Sequence, residues 1–249
     1  MKYLMLLSYL GDGFCGFQVQ NGSHARTVQG ELCRAAGELF GTECAVSGCS
    51  RTDSGVHARM YAATLEVTSK TVIAPRSLPR AMNSKLCGDI VVHSAETVDD
   101  DYSVRRHVLK KEYEYIILNS EYQSPFYLHR AWHYGACRLD EELMNSAASM
   151  IVGTHDFRSF MASGSDIENT VRTVEKCTVR REGDIIRINI SADGFLYNMV
   201  RIIVGTLVNV SEGKIDKDDI LSIIDSCDRK NAGRTAPPDG LYLLNVTLN

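Results

Sequence analysis

From Lys2 to Thr97 the apolar pattern alternates between strand and helix periods in an order that narrows the fold more than any single residue does. Lys2 to Leu10 is a mostly apolar run of strand length. Thr27 stands where a helix cap is needed. Val28, Leu32, Ala35, Ala36 and Leu39 then recur at helical spacing, and Gly41 supplies the stop. Glu43 to Ser47 and Tyr61 to Val67 read as strands, Leu78 to Leu86 as a helix with Pro79 in its first turn, and Asp89 to Thr97 as a strand. Strand-helix-strand-strand-helix-strand is the ferredoxin-like split βαβ unit. The acidic Asp99-Asp100-Asp101 marks a boundary, dividing the chain into residues 1–100 and 101–249.

The second half repeats the scheme more loosely. Lys111 to Asn119 reads as a strand with Tyr113, Tyr115 and Ile117 on one face and Glu112, Glu114 and Ile116 on the other. Asp140 caps a helix from Glu141 to Val152 that ends at Gly153. Thr170 to Arg181 and Ile185 to Asp193 form a hairpin across Glu182-Gly183-Asp184. Phe195 to Val210 and Lys217 to Cys227 read as helices, and Gly240 to Leu248 closes the chain as a strand.

Several function classes are excluded by pattern. Met1 to Leu10 is apolar but too short to span a bilayer, and it lacks a signal-peptide cleavage pattern. No membrane partner and a cytoplasmic location are expected. The eight cysteines are scattered with no CxxC pair, as suits reduced structural thiols. His129 and His133 stand four apart, but Trp132 between them points to a strand or loop and no further ligand completes a site. The stretch His155-Asp156-Phe157-Arg158-Ser159-Phe160 also looks metal-like, but no metal is expected. Gly11-Asp12-Gly13-Phe14-Cys15-Gly16 matches the GxGxxG fingerprint literally. That fingerprint needs its third glycine to open a helix. Here β-type alternation follows, with turn residues at Asn21-Gly22-Ser23, and the helix starts only near Val28. The dinucleotide reading is therefore rejected.

A formal net charge of −4 argues mildly against a nucleic-acid partner, but phosphate is bound by local basic grooves rather than by net charge. Candidate clusters are Arg76/Arg80/Lys85, Arg105/Arg106/Lys110/Lys111 and Arg172/Lys176/Arg180/Arg181.

Two places carry chemistry. In Ser50-Arg51-Thr52-Asp53-Ser54-Gly55-Val56-His57-Ala58 a carboxylate sits on a turn sequence, presented on a loop between two strands. Asp-Ser-Gly by itself would mean only a capped surface turn. The segment Phe195 to Val208 is apolar on every side and carries one charge, Arg201. Such a helix is buried, and a buried guanidinium needs an anion unless its head reaches water. The sharper reading pairs Arg201 with Asp53, which would keep the carboxylate ionised as a nucleophile or base.

The nine-residue loop resembles the catalytic loop of the TruA family of tRNA pseudouridine synthases, where it reads Gly-Arg-Thr-Asp-Ala-Gly-Val-His-Ala. Ser50 and Ser54 stand for the first Gly and the Ala. The likeness extends along the chain. Tyr9-Leu10-Gly11-Asp12-Gly13 and Gly16-Phe17-Gln18 resemble the family's Tyr-Asp-Gly and Gly-Trp-Gln, with Phe17 for Trp. Phe195 to Arg201 resembles the second motif, and Ala236 to Leu243 the C-terminal signature. Tyr61 stands where Gln is usual, and Glu112 precedes the active-site tyrosine where Arg is preferred.

The resemblance implies an α+β fold of two ferredoxin-like, RRM-like α/β subdomains whose antiparallel sheets join around a central active-site cleft. It implies an isomerase that converts uridine to pseudouridine at positions 38 to 40 of the tRNA anticodon stem-loop, as a homodimer, with no cofactor. Asp53, Tyr113 and Arg201 would be catalytic, Asp53 either attacking the sugar or abstracting a sugar proton. Arg51 would reach toward the RNA and help displace the target base, which must leave the stack before chemistry. Gln18, Thr52 and His57 would contact substrate, with loop packing the alternative for His57. The rivals are a non-catalytic RNA-binding module and a carboxylate glycosidase. The latter needs a second carboxylate, and none recommends itself.

Overall fold

The computed structural model describes residues 1–20, 22, 25–164 and 167–249, so the turn expected at Asn21-Gly22-Ser23 lies outside the described residues except for Gly22. The elements in order are β1 (Lys2–Tyr9), α1 (Val28–Phe40), β2 (Cys44–Gly48), β3 (His57–Val67), α2 (Leu78–Asn83), β4 (Ile90–Val98) and β5 (Val108–Leu118). There follow β6 (Trp132–His133), α3 (Glu141–Ser149), β7 (Gly153–Asp156), β8 (Val171–Glu182), β9 (Ile185–Ala192), α4 (Met199–Ser211), α5 (Ile220–Asp225) and β10 (Leu241–Leu248). The chain divides into two compact units, Met1–Leu109 with Tyr242–Asn249, and Lys110–Leu241. Asp99 to Asp101 thus falls inside the first unit. Residues beyond them bind back onto it: Arg105 Nε donates to Gly48 O at 3.0 Å, and Asn249 N donates to His107 O at 3.0 Å.

In the first unit, Thr27 Oγ1 accepts from Gly30 N at 3.2 Å to start α1, and Gly41 ends it in the left-handed region at φ 66°. Val28, Leu32, Ala35, Ala36 and Phe40 form the buried face, Phe40 rather than Leu39 completing it against Tyr3. β1 lies between β4 and β3, and β2 flanks β3, with every neighbour antiparallel. The order β4-β1-β3-β2 is that of the split βαβ unit. β10 adds in parallel to the first residues of β3, Tyr242 beside His57 and Leu243 beside Ala58. That pairing explains why β3 begins at His57 instead of Tyr61. α2 is shorter than its pattern because the Asn83 side chain turns to bond both N and O of Val92, each at 2.8 Å.

In the second unit, β9 lies between β5 and β8, β7 flanks β8, and β6 joins β5 in parallel. Asp140 caps α3 by accepting from Leu143 N at 2.9 Å, and the β8–β9 hairpin turns at Gly183-Asp184. Two expectations give way. On β5 the alternation fails because Tyr113 to Leu118 are all buried, Glu114 among them, its carboxylate 3.2 Å from the Arg187 guanidinium. α4 begins at Met199 rather than Phe195, because Asn198 adopts φ 59° and a helix cannot run through a left-handed residue. From Ile202 to Val208 every residue of α4 is buried, as an all-round apolar helix must be. Before α5, Asp216 caps a 3-10 turn by accepting from Asp218 N at 3.0 Å.

No helix among the described residues is long and apolar enough to cross a membrane. His129 sits at φ 56° and His133 in β6, so the two share no helix face. Among the described residues, no group of three or more His, Cys, Asp and Glu is arranged to hold a metal ion.

Candidate active site

Asp53 sits on the loop from Gly48 to His57, and the first unit grips this loop along its length. Val56 N donates to Asp53 O at 3.2 Å, closing a turn with Gly55 at φ 81°. Phe17 N donates to Thr52 O at 3.1 Å, and Ser54 Oγ donates to Phe14 O at 3.1 Å. The Thr52 and Tyr9 hydroxyls share a hydrogen bond at 2.7 Å. Gly11 N donates to His57 Nδ1 at 2.9 Å. The glycines that imitate a dinucleotide fingerprint are what allows this approach: a Cβ on Gly11 would lie 2.1 Å from Val56 O, and one on Gly16, at φ 84°, would lie 2.6 Å from Thr52 O. The 9–18 stretch is a brace for the carboxylate loop.

The departures Phe17 and Tyr61 fit each other. Their rings stack at 4.5 Å, and the Tyr61 hydroxyl donates to Ser50 O and accepts from Ser50 N at 3.4 Å. Where the family has an amide on β3, a phenol here ties down the start of the loop. Asp53 is left half-buried and Arg51 exposed at its tip.

Arg201 is half-buried in the first turn of α4 and fixed within the second unit. Its Nε donates to Ala236 O at 2.7 Å and its Nη1 to Asn198 Oδ1 at 2.8 Å, while Ala236 N donates to the Arg201 carbonyl at 3.0 Å. The segment that grips it is pressed flat on α4. Gly233 N donates to Thr206 Oγ1 at 2.9 Å, and a Cβ on Gly205 would fall 1.7 Å from Arg234 O. The Tyr115 hydroxyl donates to Pro237 O at 2.7 Å. Burial pushes this phenol well above its ordinary pKa, and the Arg201 charge pulls the other way. Tyr113 lies on β5 opposite Ile190, nearly buried, with Phe195 edge-on at 5.0 Å. Phe195 holds this place because it precedes the helix instead of belonging to it.

Of the expected substrate contacts, Gln18 is exposed and lines a polar cleft of about 510 Å3 with Gln29, Ser47, Arg105 and Arg106. Two others lie inward. Thr52 is 8% exposed, with its hydroxyl facing Tyr9, and His57 has no exposed surface, its ring stacked on Tyr242 at 4.6 Å. Both help to hold the loop, as the packing alternative for His57 expects. Among the basic clusters, Arg181 is structural: its side chain is 7% exposed and bonds Glu141 at 2.7 Å, Leu139 O and Asn119. His155 packs edge-on to Phe157 at 5.7 Å. Sequence reasoning missed Asn198 and Ala236 as the holders of Arg201. Asn198 offered one signal, an Asn placed where a helix must start.

The family described as tRNA pseudouridine synthase matches residues 5–105 and 147–249, which include the Asp53 loop and Arg201. The chain belongs to that family. The tRNA pseudouridine synthase A of Thermoanaerobacter sp. (strain X514) is 45% identical over 243 residues, covering 98% of each chain. Its namesake from Acetivibrio thermocellus is 43% identical over 242 residues, covering 97% of each, and that of Bacillus subtilis (strain 168) is 40% identical over 248 residues, covering 99% of this chain and 98% of its own. A chain of the solved Cbf5-Nop10-Gar1 complex aligns over 82% of this chain and 53% of its own at 11% identity, with a TM-score of 0.35, too low to bear on the fold.

Proposed function

We propose that this tRNA pseudouridine synthase acts on the anticodon stem-loop, at positions 38 to 40, and that Asp53 carries the chemistry. The reaction of the family is an isomerisation. The N1–C1′ bond of a uridine breaks, the uracil turns, C5 bonds to C1′, and the C5 proton is lost as N1 regains one. Nothing is oxidised and no group is donated, so the proposal needs no cofactor. Asp53 acts on the ribose, Arg201 balances and orients its charge, and Tyr113 stacks on the target base. Arg51 and Gln18 engage the RNA that presents it, Arg51 helping to displace the base from its stack.

The observation that supports this reading best is the braced loop. Catalysis needs the reacting group held in one geometry before substrate arrives, and the backbone of Thr52, Asp53 and Val56 is hydrogen-bonded or packed against glycines on both sides. The identity with full-length tRNA pseudouridine synthases A supports the substrate. Incubating unmodified tRNA with the protein and mapping pseudouridine by a chemical reverse-transcription stop tests it. Wild type should mark the anticodon arm, and Asp53→Ala should lower the rate by about 10^3-fold or more. Marks confined to another arm would overturn the assignment of the stem-loop; an active Asp53→Ala would overturn the assignment of the carboxylate.

We propose also that the working form is a homodimer, which would let an acidic chain assemble a longer basic surface for RNA. Sedimentation should give the mass of two chains; a monomer that retains full activity would refute it.

A further inference from the structure

The second unit holds a cleft of about 520 Å3 that the proposed chemistry does not use. It is lined by Arg158, Met161, Ala162, Cys227, Arg229 and Thr235. Arg229 is half-buried, and its terminal nitrogens reach only neutral acceptors, Ala232 O at 3.4 Å and Thr235 Oγ1 at 3.1 Å. Among the described residues no carboxylate pairs with it. Burial lowers its pKa from the ordinary value with nothing to offset the loss of hydration. A guanidinium placed this way is short of an anion. Arg158, exposed on the same cleft, has Asp156 at 3.8 Å. That carboxylate is already engaged, its Oδ1 accepting from Thr170 Oγ1 at 2.6 Å and from Arg158 N at 3.0 Å. The cleft therefore offers two guanidinium forks, one of them unneutralised, beside the apolar Met161 and Ala162.

The two segments that wall this cleft also hold Arg201. Thr235 precedes Ala236, whose carbonyl takes Arg201 Nε. Ala162 N donates to Tyr197 O at 3.0 Å, one residue before Asn198, which takes Arg201 Nη1. The cleft is thus tied through two short segments to the arginine that the reading above places beside the target nucleotide. Arginine forks match phosphate oxygens in a bidentate way, and the apolar wall suits a ribose.

We propose that the cleft takes a phosphodiester group of the substrate strand beside the target nucleotide, held by Arg229 and Arg158. This rests on the functional reading above, and it names where the RNA backbone is gripped. The test is the affinity of the full-length protein for an unmodified tRNA transcript across a salt series, with wild type, Arg158→Gln, Arg229→Gln and Arg229→Lys. A lost phosphate contact reduces the slope of log affinity against log salt by about one unit. Each Gln substitution should show that reduction and weaken binding by about tenfold at fixed salt, and Arg229→Lys, which keeps the charge, should preserve the wild-type slope. Should Arg229→Gln prove unfolded by thermal melting, the exposed Arg158→Gln decides alone. Weaker binding with an unchanged slope would mark Arg229 as structural and overturn the proposal, as would Gln variants that bind like wild type. Pseudouridine formation by wild type on the same transcript separates the two readings. If wild type modifies the RNA and the Gln variants keep its slope, only the cleft assignment fails. If wild type binds without modifying it and the slopes fall as expected, only the catalytic reading fails.

Discussion

At the residue scale, guanidinium groups in this chain take neutral oxygens as well as carboxylates. Arg201 Nε and Nη1 donate to the oxygens of Ala236 and Asn198, and the Asp53 backbone carbonyl accepts from Val56 N. Arg181 shows the other case. It is nearly buried, bonds Glu141 at 2.7 Å, and its hydrogen bond is the main reason that the Glu141 carboxyl lies below the ordinary range. A carboxylate depressed in the folded state stabilises the fold above its unfolded pKa of about 4.3. That stabilisation is lost as pH falls through the lower, folded value. Glu141→Gln should therefore cost about 1–2 kcal/mol at pH 7, leaving Arg181 buried beside a neutral amide. The gap from wild type should close as pH drops below about 4. Urea melts of both proteins at several pH values measure this; a gap independent of pH would mean that the pair contributes no ionic stabilisation.

At the scale of elements, α1 was legible end to end. Its cap, its apolar stripe and its terminal glycine are local signals, and the structure uses all three. The β8–β9 hairpin and the cap of α3 were equally local. The start of α4 was not, because an apolar periodicity continues through Phe195 and only the left-handed Asn198 breaks it. Likewise the GxGxxG-like stretch shows in sequence that it opens no helix, but not that its glycines admit the backbone of the Asp53 loop. The element that carries Arg201 depends on a similar close approach. Gly205→Ala would drive a Cβ into Arg234 O, displacing the segment that grips the arginine. We expect a loss of about 1–3 kcal/mol of stability and a drop in pseudouridine formation, read by thermal melting and by a single-turnover rate. An unchanged melt and rate would show that α4 does not need this flush contact.

At the scale of the whole molecule, the chain is threaded so that its last strand belongs to the first unit. β10 pairs with the start of β3, Tyr242 stacks on His57, and Asn249 bonds His107 O. Deleting Tyr242–Asn249 should therefore abolish a cooperative melt of the first unit, even though the deleted residues come after every residue assigned to the site. Circular dichroism during heating would report it; a truncated chain that melts like wild type would show β10 to be dispensable.

The Asp53 loop and the apolar segment around Arg201, the split βαβ order of the first unit and the membership of a tRNA-modifying family follow from local pattern and motif, since caps, turns and apolar periods act within a few residues. The tertiary structure alone decided that β3 starts at His57, that Thr52 and His57 face inward, that Glu114 is buried against Arg187, and that Ala236 holds Arg201. Each of these depends on a partner distant in the chain, and a partner of that kind leaves no mark in the sequence around the residue it constrains.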